Sequence, residues 1–219
     1  MKALKTIAKV AAKMAPGRLP SFAEAHVVEA LEDISILGTV GRLELSRGLE
    51  LGEGETRTLI KHLRNEGLID VSRRGISLSG TGRELLSSLR TVLSKQVEVP
   101  LTPLTVGRFN VAVRVAHMKN FVKYGLEQRD AAITAGAKGA TTLVFTKKEL
   151  VIPGTGEKVS ETGSLVVAAL IELGLEEGDV VIVGSADAKM SAELGAKTAA
   201  LELLKTKDRT DSKRSIRPA

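Results

Sequence analysis

Arg57, Thr58 and Lys61 fall in a stretch whose apolar members, Leu59, Ile60 and Leu63, recur at helical spacing. At about 100 degrees per residue, Thr56, Leu59, Ile60 and Leu63 share one arc. Gly54, Thr58, Lys61 and Asn65 centre on the opposite side, with Arg57 and Arg64 at its edge. Such an outward row suits a nucleic-acid groove: a guanidinium forks onto guanine, and threonine meets a base edge or a methyl. Gly54 and Glu55 allow close approach near the start but weaken the positive field there. The charge repeats at Arg73-Arg74-Gly75, read as a hairpin tip that can grip phosphates or a narrow minor groove. The alternative is a solvated face on a unit that contacts protein or RNA.

A second constellation lies further on. A helix expected over Lys119 to Ala135 carries Phe121, Val122, Gly125, Ala132 and Ile133 on one arc, with Arg129 in its middle. A guanidinium held inward needs a carboxylate, because a buried unpaired charge is costly. Asp187, just after the apolar run Val180 to Val183, is the expected partner. Gln128 and Ser185 are expected to border a small polar effector pocket beside the pair, because pockets in open α/β sheets form beyond the carboxyl ends of strands. The alternative leaves Asp187 as a helix cap and Arg129 as a staple of the fold.

Catalytic signatures are missing. The sequence holds no HExxH, no GxSxG and no GxxxxGK[ST]; Gly154-Thr155-Gly156-Glu157-Lys158 resembles a phosphate loop only superficially. Ser164 and Ser185 have no evident histidine partner beyond His117. Zero cysteines exclude disulfides and thiolate sites, and three histidines, His26, His62 and His117, make a zinc site improbable. Neither a cofactor nor a metal is expected, and the chain does not read as an enzyme.

These residues need elements to hold them. Ala15 to Ser21 interrupts a basic amphipathic first helix carrying Lys2, Lys5, Lys9 and Lys13. Ser21 and Glu24 have capping-box spacing before a helix that runs to about Leu37. A short helix, Arg42 to Gly48 with Leu43 and Leu45 inward, precedes the basic helix from Glu53 to Glu66, which closes at Gly67. Leu68 to Val71 and Ile76 to Leu78 flank the hairpin tip, and Gly80-Thr81-Gly82 leads into a helix striped with Leu85, Leu86, Leu89, Val92 and Leu93. Two short helices followed by a two-stranded wing is the order of a winged helix-turn-helix. His62 is expected at the rim.

Beyond a linker at 96–108, Phe109 to Val115 alternates as a strand, and Thr141 to Phe145 with Glu149 to Ile152 reads as a hairpin. Helices are expected over Glu161 to Leu173 and Asp187 to Lys205, flanking a strand at Asp179 to Val183 and packing together on one sheet face. The fold class is therefore α+β: a winged helix-turn-helix domain at 1–95, a small α/β domain at 96–206, and a disordered basic tail at 207–219.

Charge follows the same division. Met1 to Lys95 holds fifteen Lys and Arg against eleven Asp and Glu, Gln96 to Lys205 twelve against thirteen, and the last fourteen residues five against two. A basic front half points to a polyanion as partner. Aromatic residues are only 2% of the chain, too few for a stacking surface, so duplex DNA is favoured over single-stranded RNA. No apolar run approaches the roughly twenty residues of a membrane span. The chain reads as cytoplasmic. A homodimer would double the groove contacts, with the leucine-striped helix, the first basic helix or the second domain as its interface.

Two resemblances add to this. Pro20 to Leu93 is similar to the winged-helix domains of prokaryotic transcriptional regulators, carried by Glu55-Thr56-Arg57-Thr58-Leu59-Ile60-Lys61-His62-Leu63, Glu66-Gly67-Leu68-Ile69 and Gly75-Ile76-Ser77-Leu78-Ser79-Gly80-Thr81-Gly82. The whole chain resembles an uncharacterised archaeal family with an N-terminal winged helix and a family-specific C-terminal domain. Glu127-Gln128-Arg129-Asp130-Ala131-Ala132, Gly136-Ala137-Lys138-Gly139-Ala140-Thr141-Thr142 and Gly184-Ser185-Ala186-Asp187 are its most distinctive segments. The outward basic row, the basic hairpin tip and the second compact domain together point to a DNA-binding transcriptional regulator. It would read duplex DNA with helix 53–66 and wing 72–76, and its second domain would sense a small molecule or join two chains.

Overall fold

Ala3, Leu4, Ile7 and Val10 make one buried stripe along α1 (Lys2–Ala11), which packs on three later helices, α2 (Glu24–Leu37), α4 (Glu53–Asn65) and α5 (Gly80–Arg90). Each of the Leu, Ile and Val side chains removed from water contributes about 1.5–3 kcal/mol. The basic first helix is therefore a structural member of the first unit. The computed structural model describes residues 1–12, 21–159, 164–171 and 173–214, so the expected break at 15–20 and Lys13 lie outside the described residues. The chain divides into two units, Met1–Arg90 and Thr91–Ala219.

In the first unit α2 is buried on two sides, with Val27, Val28, Ala30, Leu31 and Ile34 all inside. Its start differs from the expected one: the helix begins at Glu24, and the Ala23 N–H donates to His26 Nδ1 at 3.1 Å. Ser21 instead bonds the Glu55 side chain. The short helix α3 (Arg42–Gly48) buries Leu45 and Ser46, while Leu43, some 200 degrees round from Leu45, is half exposed rather than inward. The hairpin β1 (Ile69–Ser72) and β2 (Gly75–Leu78) pairs antiparallel with only Arg73 and Arg74 at its tip. Val40 adds a one-residue third strand, exchanging both backbone hydrogen bonds with Ile76 at 2.9 Å.

The second unit is a five-stranded sheet in the order β3 (Val97–Glu98), β4 (Phe109–Val115), β7 (Val180–Ala186), β5 (Gly139–Thr146), β6 (Glu149–Val151), antiparallel at every junction. The expected alternation of β4 holds, because the register sets Val111 against Gly184 and Ala112 against Val183. On one face α6 (Leu126–Thr134) and α8 (Lys189–Arg214) pack together and on the sheet. Gly184 and Gly195 permit this: a Cβ on Gly184 would lie 2.4 Å from the Ala192 carbonyl oxygen, and one on Gly195 2.6 Å from the Ala137 Cβ. The other face is covered by α7 (Ser164–Ile171) and loops, through Leu170, Val159, Ala112, Leu143, Val181 and Val183. The helices before and after β7 thus sit on opposite faces, not on one.

Two further differences concern helix ends. The helix expected from Lys119 starts only at Leu126, because Gly125 takes φ +78° and presses against the Thr142 side chain. Residues Lys119–Phe121 form a separate 3₁₀ turn. The tail expected from Lys207 is helical as far as Arg214, within α8. Residues 215–219 and the expected first turn at 161–163 lie outside the described residues.

Candidate nucleic-acid interface

Thr56, Leu59, His62 and Leu63 form the buried face of α4, and Arg57, Lys61, Arg64 and Asn65 are exposed on the rest of its surface. Ile60 and Thr58 are half-buried. The Thr58 hydroxyl donates to the Gly54 carbonyl at 2.9 Å, which leaves its methyl and a lone pair to face outward. Glu55 accepts the Gly52 N–H at 3.0 Å, so the first turn of α4 is capped by an acid, and the basic row begins one turn in.

His62 is a correction. It is buried, 5% exposed, not a rim residue. Its Nδ1 lies 2.7 Å from the Val10 carbonyl oxygen, and its ring meets Phe22 edge-on at 5.7 Å. Lys9 and Glu66 close the same seam at 2.8 Å. The α1 helix therefore clamps the back of α4. The apolar stripe of α1 and Leu85, Leu86 and Leu89 of α5 are covered within their own unit, which removes both stripes as dimer faces.

The β1–β2 hairpin carries Arg73 and Arg74 at an exposed tip. Ser72 Oγ accepts the Arg74 N–H at 3.1 Å and fixes the turn from within. Gly75, at φ +133°, backs onto Val40, whose carbonyl oxygen would lie 2.8 Å from any Cβ there. The two arginines and the α4 row are thus held on elements tied into one core.

A small polar cluster sits at the start of α4. Burial holds the His26 imidazole below its ordinary 6.5, partly opposed by Glu55. The Ser21 hydrogen bond, then the Gly52 N–H and His26, hold Glu55 below its ordinary 4.5. As pH falls through 6.5 the unfolded chain takes up the histidine proton first, so stability present above 6.5 is lost below it. The Glu55 contribution goes the same way, present above 4.5 and lost on further acidification. Denaturant midpoints are expected to fall between about pH 7.5 and pH 5.5, with the slope reduced in His26→Gln. Equal slopes in the two proteins would refute this.

The four residues expected around an effector do not come together. Arg129 points to solvent and binds its neighbour Asp130 at 3.0 Å, and Asp187, 68% exposed, binds Lys138 at 2.7 Å. Ser185 is fully buried and donates to Asn110 Oδ1 at 2.7 Å, on the sheet face opposite the one α6 covers. Gln128 is buried on α6. The expected Arg129–Asp187 pair fails for two reasons: the true helix start removes Phe121, Val122 and Gly125 from its phase, and an antiparallel sheet has no common carboxyl end. Among the described residues, an arginine–aspartate pair with a buried carboxylate is formed by Arg114 and Asp179, at 3.2 Å. Asp179 also accepts the His117 and Glu176 N–H groups at 2.9 Å. The strand register brings the two together: Arg114 opposes Val181, two residues from Asp179 on the same face. A cavity of about 390 Å³ lies in the first unit instead, lined by Lys2, Thr6, Glu66, Thr81 and Glu84 among others.

Residues 27–93 match the family described as the CggR N-terminal DNA binding domain, and residues 106–203 match a domain of unknown function, DUF4443. No helix among the described residues is long and apolar enough to cross a membrane. A comparison with curated proteins finds no match. Among solved structures, the chain is similar to hypothetical protein PH0730 from Pyrococcus horikoshii OT3, with 30% identity and a TM-score of 0.67 over 82% of this chain and 92% of that one. With nearly all of that protein covered at this identity, the chain belongs to the family of PH0730.

Proposed function

We propose that the protein is a transcriptional regulator that binds duplex DNA as a homodimer, laying α4 in the major groove and the Arg73–Arg74 tip along the backbone. The observation that carries this reading is the split of α4, with Leu59 and Leu63 sealed and Arg57, Lys61 and Arg64 exposed on a helix clamped from behind. The match of residues 27–93 to a DNA-binding domain supports it. In this reading the second unit joins two chains and performs no catalysis. A small-molecule effector has weaker support, since Gln128, Arg129, Ser185 and Asp187 are spread over both faces of the sheet.

A fluorescence titration against duplex across a salt series tests the proposal. Binding is expected to weaken steeply with salt through counterion release. Arg73→Ala with Arg74→Ala should make the slope shallower by about 2 and weaken specific and random duplexes alike. Arg57→Ala should cost about 1–3 kcal/mol on the specific site and relax the preference at one or two base pairs. A second reading, a winged unit that docks on protein, is favoured by the exposure of Ile36, Leu37 and Leu43. Salt-independent or absent duplex binding would select it.

A further inference from the structure

The outer face of α6 carries the stripe Leu126, Arg129, Asp130, Ile133, at the spacing that lines up side chains on one side of a helix. Its inner face is closed by Gln128 and Ala132. Leu126 and Ile133 are 50% and 47% exposed, and the Arg129 and Asp130 side chains 51% and 65%. Both Arg129 nitrogens that reach Asp130 contact the same oxygen, Oδ1, at 3.2 and 3.0 Å.

We propose that two copies of this chain pair through this face, α6 against α6, antiparallel about a two-fold axis between Arg129 and Asp130. The inference rests on the homodimer reading above and names its surface. The stripe is palindromic: apolar, cation, anion, apolar. A two-fold axis at its centre sets Leu126 against Ile133 of the partner subunit and Arg129 against Asp130 of the partner subunit. The surface is thus complementary to itself, as an isologous interface must be. A parallel pairing would oppose like charges and is disfavoured. The ion pair within one chain engages one carboxylate oxygen and part of the guanidinium, so the remaining groups are available to cross the interface. The α1 and α5 stripes are spent inside their own unit, whereas Leu126 and Ile133 stay exposed among the described residues. One short helix stripe is a small contact, so association in the micromolar range is expected.

Sedimentation velocity of the full chain, without DNA, from about 1 to 100 µM is the test. The 23.2 kDa species should double in mass as concentration rises. Asp130→Arg, which faces guanidinium with guanidinium, should weaken dimerisation by about 10-fold or more, and Arg129→Asp likewise. The double swap Arg129→Asp with Asp130→Arg keeps the palindrome and should restore the dissociation constant to within about 3-fold. Misfolding of a single variant could not produce that rescue. A chain monomeric throughout, single variants that dimerise normally, or a double swap as weak as the singles would each overturn the proposal. Duplex affinity of the same variants keeps the two readings apart: loss of the dimer leaves salt-dependent duplex binding in place, whereas failure of the DNA reading leaves the dimer in place.

Discussion

Gly82→Ala is expected to lower the melting temperature of the N-terminal unit by roughly 10–20 °C and to abolish its duplex binding at physiological temperature. Gly82 lies in the first turn of α5, where its N–H donates to the Ser79 hydroxyl at 3.0 Å, and Ser79 donates in turn to the Gly67 carbonyl at 2.6 Å. These bonds draw the turn onto the start of the wing. A Cβ on Gly82 would lie 2.0 Å from the Leu68 carbonyl oxygen and 3.0 Å from its carbon. The obstacle is backbone, so no rotamer relieves it, and the cost belongs at the upper end of overpacking, about 3 kcal/mol. Gly80→Ala is the control, since a Cβ there meets nothing within 4 Å. Circular dichroism melts in which the two variants behave alike would refute the close-packing account.

In the second unit Asp179→Ala is expected to destabilise by about 3–5 kcal/mol, the scale for breaking a buried ion pair. Asp179 is fully buried and Arg114 partly so, with side-chain exposures of 0% and 17%. Removing the carboxylate leaves the guanidinium only the Gly174 carbonyl, at 3.2 Å, and takes the acceptor from the His117 and Glu176 N–H groups. Asp179→Asn keeps one acceptor and should fall between alanine and wild type. Asp187→Ala, by contrast, removes an exposed partner of Lys138 and should cost under about 0.5 kcal/mol. Urea unfolding of the three variants measures this. Equal loss for Asp179→Ala and Asp187→Ala would contradict the assignment of the buried pair.

The N-terminal unit is legible because its signals are local. Helical periodicity places Leu59 and Leu63 in the core and Arg57 and Lys61 outside it, and a turn read over Ser72 to Gly75 puts Arg73 and Arg74 at the hairpin tip, which the structure narrows to those two residues. What escaped was tertiary. His62 looked like a flank residue because the helix that covers it, α1, lies 52 residues away in sequence. In the second unit the inward arginine was sought on a helix phased from Lys119. A single left-handed glycine, Gly125, moved the start to Leu126 and turned Arg129 outward. The expected Arg129–Asp187 pair does not form, and Arg114 with Asp179, which periodicity does not single out, pairs instead. Finding those partners required the strand register, which one sequence does not supply. Side-chain alternation matters equally: Ser185 faces the side of the sheet opposite α6, which separates it from Gln128 although Gly139, just after that helix, pairs with Ser185.

The strand order has a bearing on how the protein is made. The central strand β7 is the last to be synthesised, and it alone joins the β3–β4 half of the sheet to the β5–β6 half. A ribosome adding roughly 5–20 residues per second takes several seconds to pass from β4 to β7. During that time β4 and β5 each present an open edge, with Val111, Val113 and Val115 on one and Leu143 and Val144 on the other. Unpaired apolar edges are templates for pairing with other chains. Nascent chains halted before Val180 should therefore be the aggregation-prone and chaperone-bound species, and release should follow emergence of the segment up to Ala186.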